Sequence, residues 1–267
     1  MADDAPSLSP SVEDYLKAIY CIGAPDEVVS TSSVAEALQV QPASVTGMVK
    51  RLAESGFLEH VPYRGVRLSS TGILEALRIL RRHRILETYL TERLGYRWED
   101  VHAEAERLEH AASNELIERM ARALGDPSHD PHGAPIPTAG GEIEATDSGT
   151  LAEMREGERG QVRAVRDDDS LGLQAAEAAG LLPGVSLQVV RRGPPKGVIR
   201  VRVGSSTTPE LEIEGDLARR IYVVKPPLAE PAEGPGQGEA GDPGPVGLDA
   251  SPEASPEESE GAPREDR

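Results

Sequence analysis

Residues 10–22, PSVEDYLKAIYCI, place Val12, Tyr15, Leu16, Ile19 and Tyr20 at helical spacing, which predicts an amphipathic helix with Ser11 as a plausible cap. Gly23 and Pro25 mark a turn. Thr31-Ser32-Ser33 then leads into a short helix, and Gln41-Pro42-Ala43-Ser44 into a second one closed by Gly56. Two short helices joined by a few residues form a helix-turn-helix pattern. In FLEHVPYRGVRLSS, Phe57, Leu58 and Val61 precede a Tyr63-Arg64-Gly65 turn and Val66 and Leu68 follow it, as in a two-stranded wing. Helical periodicity resumes over about 71–95, Glu99–Ala111 and Asn114–Leu124. Each of these stretches is too apolar on one face to stand alone, so a shared helical layer with a dimer interface is expected. From about 148 to 225 the period changes to two, in GQVRAV, VSLQVVRR, GVIRVRVG and ARRIYVV. Short strands separated by Gly and Pro fit a small β-barrel of the SH3 type.

The expected fold class is mainly α with a small β domain. The expected divisions are a flexible N-terminus (1–9), a winged helix-turn-helix (10–72), a helical metal-binding and dimerisation domain (73–125), a linker rich in Asp, Pro, Gly and His (126–147), an SH3-like, FeoA-like domain (148–226), and a disordered acidic Pro/Gly-rich tail (227–267).

Charge changes this picture little. A net charge of −18 opposes binding to DNA, but residues 228–267 hold eleven acids against two arginines, a net of −9, so half the excess lies in the tail. Such a segment buries too little apolar surface to offset the entropy of ordering it. The single cysteine, Cys21, excludes an intrachain disulfide and a cysteine-rich zinc site. No run of about 18 apolar residues predicts a membrane span. MADDAPSLSP lacks the basic start and apolar run of a signal peptide, so a cytoplasmic location is expected.

In a helix-turn-helix the second helix presents its N-terminal residues to base edges. Here these are Gln41, Pro42, Ala43, Ser44, Thr46 and Gly47. Gln suits adenine, Ser and Thr suit bases or phosphates, and small residues let the helix sit deep. Lys50 and Arg51 suit phosphate contacts, and Arg64 and Arg67 on the wing suit an adjacent backbone. The expected partner is double-stranded operator DNA.

The strongest chemical signal is VHAEAERLEH, residues 101–110. On a helix His102, Glu106, Glu109 and His110 form one stripe of two imidazoles and two carboxylates. The preceding long helix offers His83 and Glu87 at i, i+4, and the first helix offers Asp14. These side chains on three helices suffice for one or two metal sites in a helical core. Any one of these histidines alone is more simply an ordinary member of a charged face. The joint pattern points to metal.

EDYLKAIY, VQPASVTGMVKRL, YRGVRLSSTG, RRHRILETYL and VHAEAERLEH, in that order, resemble the diphtheria-toxin-repressor family of iron- and manganese-dependent regulators over residues 11–124. A looser likeness to the family's SH3-like domain covers 148–225. The resemblance implies a primary, regulatory site of Asp14, Glu106, Glu109 and His110. It implies an ancillary site of His83, Glu87 and His102, completed from the SH3-like domain within Asp167-Asp168-Asp169, with Asp168 and Asp169 as the expected pair. It also implies a homodimer with no small-molecule substrate and no membrane partner. The iron-sensing branch has Met and Cys where Asp14 and Glu106 stand, and oxygen ligands favour hard Mn²⁺, so Mn²⁺ is the expected cofactor with Fe²⁺ as the alternative. The short manganese sensors have a Glu where Lys17 stands, which favours two separate sites here. The expected function is a metal-corepressed regulator of metal-uptake genes. The alternatives are an iron-responsive repressor of the same family, a metal-dependent hydrolase using the His/Glu cluster, and a metal-independent adaptor whose barrel binds Pro-rich peptide. Nothing in the sequence suggests a nucleophile, an oxyanion hole or a substrate pocket.

Overall fold

The structure is a computed structural model. It describes residues 8–23, 27–145, 148–167, 169–193, 197–204 and 207–224. The acidic tail and Asp168 therefore lie outside the described residues.

The first helix, α1 (Pro10–Ile22), spans the expected residues, with its cap position two residues earlier than expected, at Ser9. Pro10 supplies a pre-set φ at a position where no amide is needed, so Ser9 rather than Ser11 precedes the helix. It buries Val12, Tyr15, Leu16 and Ile19. Helix α2 (Thr31–Ala37) is capped by Ser30, whose Oγ accepts from the Ser33 amide at 3.0 Å. Helix α3 (Pro42–Glu54) again opens on proline and buries Val45, Val49 and Leu52. Strands β1 (Leu58–Val61) and β2 (Gly65–Leu68) form the antiparallel wing, with Val61 opposite Gly65. A Cβ on Gly65 (φ +135°) would lie 2.1 Å from the Val29 carbonyl, so only glycine lets the wing close on the segment before α2.

Helix α4 (Ser70–Leu94) is capped at its start by Ser69 and ends at left-handed Gly95. Its first turns complete the winged-helix core through Ala76 and Ile79, and its second half packs on α5 (Val101–Leu108) and α6 (Asn114–Leu124) through Ile85, Leu86, Ala105, Ile117 and Ala121. Helix α5 is shorter than expected. Glu109 keeps helical dihedrals (φ −59°, ψ −33°), but the chain then turns through His110 and Ala111.

The segment expected to be a linker is pinned on both sides. Ile136 joins the helical core and His132 is fully buried. Arg81 donates to the Pro137 carbonyl at 2.9 Å, and Trp98 Nε1 to the Pro131 carbonyl at 2.9 Å. Gly133 (φ +87°) abuts the Arg163 carbonyl so closely that a Cβ would lie 2.1 Å from it. Pro and Gly composition signals a lack of regular structure, and here that irregular chain is packed rather than free.

The β domain is a six-stranded antiparallel sheet ordered β3-β8-β4-β5-β6-β7. Its strands are β3 (Gly149–Thr150), β4 (Arg159–Val165), β5 (Ser186–Arg192), β6 (Ile199–Val203), β7 (Glu210–Ile213) and β8 (Ile221–Val224). Bulges fall between Val162 and Ala164 and between Val189 and Arg191, where they bend the sheet. Helices α7 (Ser170–Ala178) and α8 (Gly215–Ala218) cover its core, which holds Leu151, Val162, Leu173, Val201 and Ile221. Strand β4 lies inside the sheet, and its C-terminal end delivers Asp167 toward the helical layer.

Candidate metal centre and DNA-reading face

Carboxylates and imidazoles of the kind that ligate metals gather in four overlapping groups among the described residues, two of which contain His83. In the first, Asp14, Glu109 and His110 each bring one ligand atom within 4.8 Å of the others. His110 Nε2 is 2.9 Å from Asp14 Oδ1 and 3.7 Å from Glu109 Oε1. Its Nδ1–H donates to Glu13 Oε2 at 2.6 Å. A carboxylate on the far nitrogen fixes the ring and directs the Nε2 lone pair toward the two acids, which is how metal-ligating histidines are usually held. Arg82 in turn pairs with Glu13. The sequence reading missed Glu13. Its signal was an acid at i−3 from Leu16, on the stripe that α1 buries.

Glu106 stands apart from this trio. Lys17 Nζ lies 2.5 Å from Glu106 Oε1 and 2.6 Å from Glu109 Oε1, wedged between the two carboxylates. Burial opposes the Lys17 charge, but the two carboxylates outweigh it and raise its pKa. Glu106 Oε1 is also 3.6 Å from His102 Nε2 and 3.8 Å from His83 Nδ1, so it faces the second group.

That second group joins His83 and Glu87 of α4, His102 of α5, and Asp167 beyond β4. His83 donates from Nδ1 to Glu109 Oε2 at 2.6 Å and from Nε2 to Glu87 Oε1 at 2.9 Å. His102 Nδ1 lies 3.1 Å from both Glu87 Oε1 and His83 Nε2, and 3.6 Å from Asp167 Oδ2. Asp169, one of the expected completing ligands, is instead the N-cap of α7: its Oδ1 accepts from the Leu171 amide at 3.1 Å, and its Oδ2 is 3.5 Å from Arg220. The cap geometry turns Asp169 away and leaves Asp167 to face the imidazoles.

Burial disfavours charge on His83, but Glu87 and Glu109 outweigh it and push the imidazole up to about 9. His102 is likewise opposed by burial and pushed up to about 10 by Asp167 and Glu87. Burial would raise Glu87, yet His83 and His102 bring it down to about 2. Asp167 is held well below the usual carboxylate range by His102, against its own burial. Protons thus hold together, without a metal, a set of N and O donors of the kind a divalent cation binds. Two buried ligand-type atoms here, Glu87 Oε2 and His132 Nδ1, have no hydrogen-bond partner, so the locus has donor capacity its own protons leave unused.

The linkage has a definite sign. Both histidine pKa values lie above the ordinary 6.5, so their pairing stabilises the metal-free fold below that pH and ceases to as pH rises through about 9 to 10. A cation entering this group displaces up to two protons, so Mn²⁺ affinity should rise by up to about 100-fold per pH unit between pH 6.5 and 8. Isothermal titration in buffers of different ionisation enthalpy measures the protons released. An affinity flat over that range with no proton release would contradict it.

On the other face, Gln41, Pro42, Ala43, Ser44, Thr46, Gly47, Lys50 and Arg51 are all exposed, while Val45, Val49 and Leu52 point inward. Arg64 is exposed on the wing beside Tyr63, which is fully exposed and held at φ +62°. Arg67 is engaged with Glu59 at 2.6 Å. A Cβ on Gly47 would meet nothing within 4 Å. This glycine costs the helix about 0.5–1 kcal/mol without serving internal packing.

The fold and these groups define a winged-helix protein with a divalent-metal-binding helical layer and an SH3-like β domain. Residues 7–66 match the iron-dependent repressor N-terminal DNA-binding domain, 69–138 the iron-dependent repressor metal-binding and dimerisation domain, and 149–225 the FeoA domain. The diphtheria toxin repressor of Corynebacterium glutamicum is 30% identical over 226 residues, covering 80% of this chain and 96% of that protein. A manganese-dependent transcriptional repressor solved in complex with manganese superposes with a TM-score of 0.76 at 36% identity, covering 80% of this chain and 99% of that one. The iron-dependent repressor IdeR of Mycobacterium leprae is 33% identical over 127 residues, 48% of this chain, and the match spans 55% of its length. The chain belongs to the diphtheria-toxin-repressor family of metal-dependent DNA-binding transcriptional repressors. These are not enzymes, which closes the hydrolase alternative. Among the described residues, no helix is long and apolar enough to cross a membrane.

Two residues beyond the expected ligands, Asp130 and His132, gather with Glu87 and Asp167 of the second group, and Asp167 is the member of the expected Asp167-Asp168-Asp169 run that faces the imidazoles. The signal for Asp130 and His132 was SHDPH. The chain has six histidines, and two of them fall within four residues of a stretch otherwise lacking regular structure.

Proposed function

We propose that this protein is a manganese-responsive, homodimeric repressor acting in the cytoplasm on the operators of metal-transport genes. Asp14, Glu109 and His110 take the regulatory ion, with Glu106 recruited once Lys17 is displaced. His83, Glu87, His102 and Asp167 take the ancillary one. Oxygen-rich ligand sets favour Mn²⁺ over softer late metals. The observation that carries this reading is the 2.9 Å approach of Asp14, on the first helix of the DNA-binding unit, to His110, at the end of α5 in the dimerisation domain. A metal joining them fixes one body against the other. In a two-fold dimer that sets the spacing of the two α3 helices, and half-site spacing governs operator binding. Exposed Leu94, Tyr96, Leu108 and Leu116 on the helical layer supply apolar surface for a dimer.

The test is DNA binding to genomic fragments in EDTA, Mn²⁺, anaerobic Fe²⁺ and Zn²⁺ at one fixed salt concentration. Tight binding in Mn²⁺ that EDTA reverses is expected, and the ion ranking separates the manganese from the iron reading. Equal binding in all four would refute metal control.

A second expectation concerns α3. Gly47→Ala should raise stability by about 0.5–1 kcal/mol and yet weaken operator binding, because a methyl would stand where the helix meets the groove. Thermal melts and fluorescence anisotropy measure the two effects. Stabilisation with unchanged operator affinity would mean that DNA does not approach this face closely.

A further inference from the structure

We infer that Tyr63, at the tip of the wing, contacts DNA through its ring, which packs on the deoxyribose rim beside the groove that α3 enters. This rests on α3 and the wing forming the DNA-binding face; the identity of the regulatory metal does not enter it.

Three non-glycine residues among the described ones have positive φ: Gln39, Tyr63 and Asp126. Gln39 and Asp126 stand where the chain leaves α2 and α6, a place where left-handed backbone is common. Tyr63 has no helix to end. The Arg64 amide donates to the Val61 carbonyl at 3.1 Å, with Pro62 and Tyr63 between them. In a turn with proline first and a positive φ second, Gly or Asn is the unstrained choice. Tyr63 instead holds φ +62°, where its Cβ crowds the carbonyl that follows. The fold gains nothing in return. The residue is wholly exposed, and its side chain makes no hydrogen bond or ring contact among the described residues. A large apolar ring held in the open at a conformational cost points to a partner outside the chain.

Three observations make that partner DNA. The wing tip lies within the family's DNA-binding domain. It is also fixed relative to α3. Val29 and Val66 exchange backbone hydrogen bonds at 2.8 and 2.9 Å, and Leu58, Val66 and Leu68 share a core with Val45 and Leu52 of α3. The charge at the tip is positive: Arg64 is exposed and forms no ion pair among the described residues, while Glu59, the one acid of the hairpin, is paired with Arg67. A ring beside a free guanidinium matches a surface that alternates sugar with phosphate. Such contacts fix register and orientation on the duplex. Tyr has two side-chain torsions to immobilise, so little entropy is lost when its ring is covered.

The experiment is fluorescence anisotropy of the full-length protein with a labelled genomic fragment that it binds in saturating Mn²⁺, at several salt concentrations, beside thermal melts without DNA. Tyr63→Ala should bind about 10-fold more weakly. Its dependence of log affinity on log salt should match the wild type, because an apolar contact releases no counterions. Arg64→Ala should instead reduce the magnitude of that slope by about 0.9. Tyr63→Phe should bind as the wild type does. Tyr63→Gly should lose as much affinity as Tyr63→Ala while melting about 2–4 °C higher, which separates a lost contact from a lost fold. Wild-type affinity in both Tyr63→Ala and Tyr63→Gly would overturn the proposal. So would a reduced salt slope in Tyr63→Ala, or an equal loss in Tyr63→Phe. A changed oligomeric state of Tyr63→Ala without DNA would assign the ring to a protein partner and overturn it too. If the wild type still bound in a Mn²⁺-dependent way in any of these cases, the repressor reading would stand and this inference alone would fall.

Discussion

Asp14→Ala is expected to reduce Mn²⁺-dependent operator affinity to the level seen in EDTA. Asp14 is the ligand that the proposed regulatory site takes from α1, and its contact with His110 joins the DNA-binding unit to the end of α5 beside the Glu13–His110 and Lys17–Glu109 contacts. Outer-shell partners alone cost about 10–100-fold in metal affinity, so loss of a bridging ligand should cost at least about 100-fold. Occupancy at a given Mn²⁺ concentration falls with it, and the DNA-competent population falls in proportion. Folding should survive. The Asp14 side chain is 40% exposed, and an ion pair at such a site contributes about 1 kcal/mol or less. Anisotropy titrations of labelled operator against Mn²⁺, with thermal melts in EDTA, read both quantities. Undiminished metal dependence in Asp14→Ala would sink the proposed coupling between the two bodies.

Lys17→Met should have two opposite effects. In the metal-free protein it removes the ammonium that Glu106 and Glu109 share and leaves fully buried Glu109 with His83 as its main partner. Breaking a buried pair from one side costs about 3–5 kcal/mol, and the surviving His83 contact places the expected loss near the lower end. In Mn²⁺ the loss should shrink, because a cation binding the folded state stabilises it by mass action. Mn²⁺ affinity itself should increase. A unit charge about 5 Å from the ion at an effective dielectric constant of about 20 is worth about 3 kcal/mol, which sets a ceiling near 100-fold. Denaturant unfolding with and without Mn²⁺, beside direct metal titration, checks both effects. Unchanged Mn²⁺ affinity would show that Lys17 does not compete with the ion.

Lys17 illustrates where the sequence stopped short. Its place one turn after Asp14 on α1 was legible, and so was its inability to ligate while protonated. Its insertion between Glu106 and Glu109 was not, since those residues lie 89 and 92 positions away. The sequence placed His102, Glu106, Glu109 and His110 on one helical stripe, and the expected primary set took Glu106, Glu109 and His110 from it together with Asp14. The chain turns through His110 after α5, so His110 faces Asp14, while Glu106 and Glu109 share Lys17 and both approach His83.

What the sequence determined by itself is the set of elements and the faces they present. Period 3.6 along α1, α3 and α4, period two along β4 to β6, and proline or serine at the helix starts are local properties, read from neighbours a few residues apart. The same locality revealed His83 with Glu87, and His102 with Glu106, as i, i+4 pairs on helices. Only the tertiary structure decided which carboxylate meets which imidazole. The angle and depth at which helices and sheet pack are set by side chains such as Ile85, Ile117, Ile136 and Trp98, whose partners lie far along the chain. Glu13 on His110, Asp167 on His102 and His132 on Glu87 all arise from that packing. Asp130 and His132 come from a stretch with no period at all. Its composition predicted absence of helix and strand, and that leaves open whether the chain is loose or packed.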